Sequence, residues 1–324
     1  MGIEPYPHDR QEIAGFFRKH ASFGVCYLKV ERSLEDFGQY LCEMVLESGP
    51  ERLFLQGIQF AGKRFRYPPH LEGIPSSTRV SLEREILTHL LRSRVVESPL
   101  TDPKLTYTGE RIVPATAPFH AYWMHARRYE FAARRVSGCG TVLDAGCGSG
   151  YGTRILSRAV SSCLGVDVAP AAVDLARSLF RRPGVEFAVG DVCRLDDLAD
   201  GAFDAVVALE VLEHLERAAI PLFLATVRRV LRDRGGFIVS VANSGYSAKE
   251  VNPYHRSEMT FGAFRDLLAA EFPQSSAVYF GQDVWQGSYR LERECRIVPV
   301  QGPTDHHVFL AALETGGLGH TGSV

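Results

Sequence analysis

VLDAGCGSGYGT, residues 142–153, decides the reading of this chain. An apolar run ends in Asp144, and glycines follow at 146, 148, 150 and 152. Glycine lets a backbone approach a ligand closely and adopt positive φ. A strand that ends in such a turn and leads into a helix is a ligand cradle, and the question is which ligand it takes.

The surroundings supply the architecture. Residues 119–136 have helical spacing with an aromatic and apolar stripe. Short apolar runs then alternate with helical segments: TVLDAG, CLGVDV, VEFAVGD, FDAVVALEV and GGFIVSVAN read as strands. Helices are expected from residue 153 and over 171–180, 220–231 and 261–271. Fully apolar strands with helices between them predict a doubly wound, mostly parallel sheet covered on both faces. SAVYFGQ and HHVFLAALE, with no clear helix between them, close the series as an antiparallel pair at one edge. The expectation is α/β, with seven strands. In such sheets the ligand lies beyond the carboxyl ends of the strands.

Two ligand classes fail on spacing. A triphosphate cradle needs Lys followed by Ser or Thr after the glycines, and none is present. A dinucleotide turn needs G-x-G-x-x-G, but Tyr151 or Thr153 falls at the last position in the two registers. The turn instead resembles the first motif of class I S-adenosylmethionine-dependent methyltransferases, an acidic residue followed by G-x-G-x-G. The resemblance covers about two thirds of the chain, residues 107–314, and extends to three further motifs. It implies a Rossmann-like fold and S-adenosylmethionine as cofactor. It implies cofactor contacts from Asp144 (to the ligand's ammonium), Gly146, Cys147, Gly148 and Gly150. Asp167 would hold the ribose hydroxyls with Val168 beside it, Asp191 and the amide of Val192 would read the adenine, and Glu210 would line the pocket. The alternative is an α/β domain that has lost its ligand.

The leader YTGERIVP, residues 107–114, resembles a subgroup associated with glycan or secondary-metabolite synthesis. Tyr107 and Glu110 are its candidate cofactor contacts. A plain connector packed on the sheet is an equal reading. His120 and His125 follow on the leader helix and are expected at the surface. The pairs Arg127-Arg128 and Arg134-Arg135 are expected on its solvent side.

On the acceptor side, Glu210, Glu213 and His214 gather on one face if the chain turns helical after its strand. His255 follows the next strand. His214, His255 and Glu213 are the catalytic candidates, with a histidine as base for an oxygen acceptor. The same Glu210, Glu213, His214 and His255 form a candidate divalent-metal set, and this run is similar to that of metal-dependent small-RNA 2′-O-methyltransferases. Three functions therefore stand: O-methylation of a small molecule such as a sugar or natural product, metal-dependent methylation of RNA, and a catalytically silent cofactor-binding module.

Composition weighs among these. The formal net charge of -2 gives no general pull on nucleic acid or anionic membrane. No apolar run reaches the ~18 residues needed to cross a bilayer, and the N-terminus lacks the order of a signal peptide. Seven scattered cysteines with no C-x-x-C suit reduced thiols. A cytoplasmic enzyme is expected. Residues 1–104 read as a separate small α/β unit, 105–315 as the methyltransferase domain and 316–324 as a flexible tail. In the first unit, 23–30 and 52–60 are expected strands, while 34–46 and 80–96 carry helical spacing, the latter with Ser81 as cap. That unit has no chemical signature, and shaping substrate access or forming a homodimer is its expected role.

Overall fold

The structure is a computed structural model, and it describes residues 10–20, 23–32, 40–49, 51–61, 64–68, 71, 74–93, 112–113, 117, 119–246, 252–284 and 295–314. The chain divides into two compact units. The first comprises Met1–Asp102 with Trp285–Cys295, and the second Pro103–Val284 with Arg296–Val324. The sequence reading had no signal for assigning 285–295 to the first unit.

The first unit contains helix α1 (Arg10–Lys19), strands β1 (Gly24–Arg32), β2 (Tyr40–Ser48), β3 (Glu51–Ala61) and β4 (Arg64–Arg66), and helix α2 (Ser76–Ser93). The strands form an antiparallel meander in sequence order. β2 corrects the helix expected over 34–46. The β2–β3 register shifts between Cys42 and Glu43. The extra residue of that bulge, Gly57, is on β3. β2 is an inner strand with residues buried on both faces, and the buried Cys42, Met44, Val45 and Leu46 therefore lack strict alternation and mimic helical spacing. Ser81 does not cap α2. It lies within the helix, its hydroxyl donating to the carbonyl of Ser77.

The second unit begins its regular structure with α3 (Phe119–Arg135). It continues through β5 (Thr141–Ala145), α4 (Tyr151–Leu156), β6 (Ser162–Asp167), α5 (Pro170–Phe180), β7 (Val185–Val189) and β8 (Phe203–Ala208). Then come α6 (Ile220–Val230), β9 (Leu231–Ala242), α7 (Phe261–Glu271), β10 (Ser276–Gln282), β11 (Ile297–Pro299) and β12 (Val308–Glu314). Among the described residues the sheet has eight strands in the order β11-β10-β12-β9-β8-β5-β6-β7. The eighth is the three-residue β11, paired antiparallel to β10. β12 inserts antiparallel between β9 and β10, so the antiparallel pair expected at the edge is present, with β11 outside it. The pairings β7-β6-β5-β8-β9 are parallel.

Strand alternation divides the core in two. Leu143, Val206, Val239 and Phe309 face α6 and α7. Val142, Val207, Ile238 and Leu310 belong to the core that includes Tyr129 and Ala132 of α3 and Tyr151 and Leu156 of α4. Both faces of the sheet are thus covered, which is why its strands are apolar throughout. Strand order reverses between β5 and β8. A crevice at that reversal is where this class of sheet holds ligands.

Candidate functional site

The glycine turn follows β5 at the reversal point. The amides of Gly146 and Cys147 both donate to the carbonyl of Val166, 2.8 and 2.9 Å away, which pins the turn to β6. Gly146 has φ +79°, and a Cβ there would lie 2.5 Å from Cγ2 of Val211. The first glycine therefore faces the loop that follows β8. Gly150 works differently: its missing Cβ makes room for Ala176 of α5 and Phe187 of β7, 2.5 and 2.9 Å from where it would sit. The Cys147 thiol also packs into that small core. At both residues the side-chain position shapes the turn from behind, which leaves only their backbone for the expected ligand contact.

Asp144 is fully buried. Tyr129 donates its hydroxyl to Oδ1 at 3.2 Å, and Thr153 donates to Oδ2 at 2.6 Å. Burial pushes its carboxyl up to about 7, against the pull of these two donors. The residue ties α3 and α4 to the end of β5, and the direct pairing with a ligand ammonium expected of it is not what this geometry offers. Ser149, also buried, donates to the carbonyl of Ile112 at 2.7 Å. The leader is thereby fastened to the glycine turn. Tyr107 and Glu110 lie outside the described residues.

Asp167, at the end of β6, accepts from the amides of Gly148 (2.8 Å, Oδ2) and Ala169 (2.9 Å, Oδ1). An ionised carboxylate has about four acceptor positions. The two amides orient it at the end of β6. Val168 beside it is 70% exposed, an apolar surface that a flat base would cover. Asp191 is exposed, with Oδ1 accepting from the amide of Cys193 at 2.9 Å, and Val192 is buried next to it. These features, gathered at the end of β6 and just after β7, suit a nucleoside bound through its sugar and base.

After β8 the chain does not enter a full helix. Glu210 takes a left-handed φ of +57°, rare for a residue with a side chain. A single 3₁₀ turn, Leu212–His214, follows. The amide of Glu210 donates to Ser240 Oγ at 2.8 Å, and that hydroxyl donates on to Glu210 Oε1 at 3.1 Å. Oε2 lies 3.2 Å from Nη2 of Arg128. Burial would raise the Glu210 carboxyl, but Arg128 first, then His125, His307 and His255, hold it down at about 2.

Arg128 corrects the sequence reading most sharply. It is 1% exposed, and Nη1 donates to Gln282 Oε1 at 2.5 Å. Gln282, itself buried, donates to the carbonyl of Met124 at 2.9 Å. The signal was present: Arg128 stands four residues after Met124 and four before the buried Ala132, on the covered face of α3. His125 is half-buried one turn earlier. Burial and Arg128 push it down to about 3 against Glu210, so it is neutral near pH 7. It corrects the expected surface position, whereas His120 is exposed. Arg135 lies over the rings of Phe131 and Phe280.

His214 and His255 come together, ring centroids 5.0 Å apart. His214 Nδ1 faces the carbonyl of Tyr254 at 3.2 Å. His255 has Nδ1 on Glu258 at 2.8 Å and Nε2 against the Asn252 amide at 3.0 Å. Glu213 points away from them. It is fully buried, with Oε1 accepting from the amide of Ala242 at 3.2 Å and no partner for Oε2 among the described residues. Burial and the neighbouring Glu210 raise it well above the ordinary carboxyl range, which favours its protonated form. The four-residue metal set is therefore not assembled. Glu213 is buried against the amide of Ala242, Glu210 is committed to Arg128, and His255 uses both nitrogens; among the described residues no group of three or more His, Cys, Asp or Glu is arranged to hold a metal.

Comparison with known proteins agrees with this geometry. Residues 143–239 match the family described as Methyltransferase domain. A protein of Mycolicibacterium smegmatis named as a probable S-adenosylmethionine-dependent methyltransferase is 31% identical over 227 residues, spanning 65% of this chain and 86% of that one. A protein of Mycobacterium tuberculosis with the same description (Rv3030) is 34% identical over 171 residues, 51% of this chain and 60% of its own length. A Ubiquinone biosynthesis O-methyltransferase of Azorhizobium caulinodans is 36% identical over 104 residues, 32% of this chain and 40% of that one. No helix among the described residues is long and apolar enough to cross a membrane. With the reversal-point glycine turn, the carboxylate after β6 and the interleaved β12, this chain belongs to the class I S-adenosylmethionine-dependent methyltransferases.

Proposed function

We infer that the chain methylates a hydroxyl oxygen of a small molecule, with His214 as the general base. The observation that carries this is the 3.2 Å approach of His214 Nδ1 to the Tyr254 carbonyl. A carbonyl only accepts, so Nδ1 carries a proton, and the neutral ring in this tautomer has its lone pair at Nε2. A neutral imidazole held in that tautomer can take a proton from a hydroxyl as it attacks.

The residues present fit the cofactor. Asp167 and the glycine turn would hold its sugar, and Val168, Asp191 and Val192 its base. When bound it supplies an activated methyl group on a sulfonium. The protein's work is then alignment: Asp167 fixes the nucleoside, Glu210 and Arg128 set the floor beyond β8, and His214 receives the acceptor's proton at Nε2. His255, clamped by Glu258 and Asn252, supports His214 from the side. The partial similarity to Ubiquinone biosynthesis O-methyltransferases supports an oxygen acceptor. The balanced charge of the chain supports a small molecule over nucleic acid.

The test is release of S-adenosylhomocysteine on incubation with a panel of phenols, catechols and sugars, in the presence and absence of a chelator. Turnover on a hydroxylated compound that survives chelation, and is lost in His214→Asn, is the expected result. Turnover only on amines, or only with added metal, overturns the reading.

A further inference from the structure

Val211, whose Cγ2 would collide with any Cβ at Gly146, directly follows Glu210. The carboxylate of Glu210 thus belongs to a loop in contact with the cofactor turn. Its backbone is held left-handed, and its side chain joins a buried chain of polar groups drawn from four elements. Arg128 comes from α3, Ser240 from β9 and Gln282 from β10, while Glu210 itself follows β8. Two of the four would be orphaned buried charges if separated, and such an arrangement holds only when each member is present. The other ionisable groups around Glu210 are His125 on α3, His307 before β12, His255 before α7, Tyr151 on α4 and Glu213 on the 3₁₀ turn. Arg128 is the one permanent cation among them.

We propose that Arg128 and Glu210 act as a single electroneutral unit at the reacting end of the cofactor, with Arg128 the positioning residue that cancels the carboxylate and suits the pocket to uncharged acceptors. The pair has a reason to exist in a methyltransferase. A bare carboxylate there would hold the cationic cofactor more tightly than its neutral product, and would attract ammonium acceptors. A bare guanidinium would repel the sulfonium. A balanced pair does neither, so the sulfur can lose its charge during transfer without a large change in binding. This rests on the reading of Glu210 as part of the cofactor pocket.

The experiment compares affinities for S-adenosylmethionine and S-adenosylhomocysteine, two ligands that differ by the methyl group and the charge it brings. Titration calorimetry at pH 8 on the full chain gives their ratio for the parent, Arg128→Met, Glu210→Gln and the double variant. Arg128→Met should shift the ratio toward S-adenosylmethionine, and Glu210→Gln should shift it toward S-adenosylhomocysteine. Each shift should be at least on the order of tenfold, the effect of a unit charge within about 12 Å at an effective dielectric of about 20. The double variant should return to the parent ratio. A purely structural role would weaken both ligands together and leave the ratio fixed, and that outcome overturns the proposal. If Arg128→Met does not fold, Glu210→Gln still decides, because an unchanged ratio there is equally fatal. A parent that binds neither ligand would instead refute the cofactor pocket itself.

Discussion

The rings of His214 and His255 meet edge to face, yet their nitrogens are committed differently. Both nitrogens of His255 are hydrogen-bonded, to Glu258 and Asn252, whereas His214 uses only Nδ1 among the described residues. His214→Asn should therefore cost about 10²–10⁴ in turnover, the usual worth of a general base, while affinity for S-adenosylhomocysteine stays within about twofold of the parent. His255→Asn should cost less. Steady-state rates on a responsive acceptor, with calorimetry alongside, check this. A larger loss at His255 would make it the base.

Asp167 is held by the amides of Gly148 and Ala169, so its removal harms the pocket twice. Asp167→Ala should weaken S-adenosylhomocysteine binding by about 1.5–3 kcal/mol, as for hydrogen bonds to a charged group. Asp167→Asn, which retains one acceptor oxygen, should lose less. Calorimetry on the two variants distinguishes them, and parent-like affinity in the alanine variant would move the ribose elsewhere.

Gly152 has no room for a side chain. A Cβ would lie 2.1 Å from the ring of Tyr129, the residue that donates to Asp144. Gly152→Ala should destabilise the unit by about 1–3 kcal/mol through overpacking. Tyr129→Phe, which loses only the hydroxyl, should cost about 1 kcal/mol. Urea denaturation measures both, and a neutral Gly152→Ala would show that the ring yields freely.

Glu213 makes a pH prediction. Its carboxyl is raised far above the ordinary value of 4.5 by burial and by Glu210. A folded-state pKa above the unfolded one means that the folded chain binds more protons. Its contribution to stability is therefore lost as pH climbs from about 4.5 toward the raised value. Glu213→Gln removes that dependence. The variant should gain stability relative to the parent between pH 5 and pH 8, as read from denaturation midpoints at the two values. A parent that becomes more stable over the same interval through this residue would mean that Glu213 is ionised.

Much of this was legible in the sequence, and the misses share a cause. Strands of Val, Ile, Leu and Ala between helices announce a sheet covered on both sides, and the acids at 144, 167, 191 and 210 mark the strand ends. What spacing cannot give is direction. Asp144 and Glu213 are acids near the site whose side chains turn into the core, where hydroxyls or burial hold them. Arg128 looks like half of an ordinary surface pair until α3 is docked and Glu210 and Gln282 meet it. β2 was misread because an inner strand buried on both faces, at Cys42, Met44, Val45 and Leu46, loses the alternation that marks a strand and imitates a helical interval.

One of the two edge strands of the large sheet, Ile297–Pro299, is three residues long and ends in a residue with no amide hydrogen. An extended segment from another molecule would find almost no ladder to add to on that strand. Over Phe280–Gln282 the strand behind it is thereby shielded from a further partner, so any strand addition to this sheet is directed to the remainder of β10 or to β7 at the opposite edge.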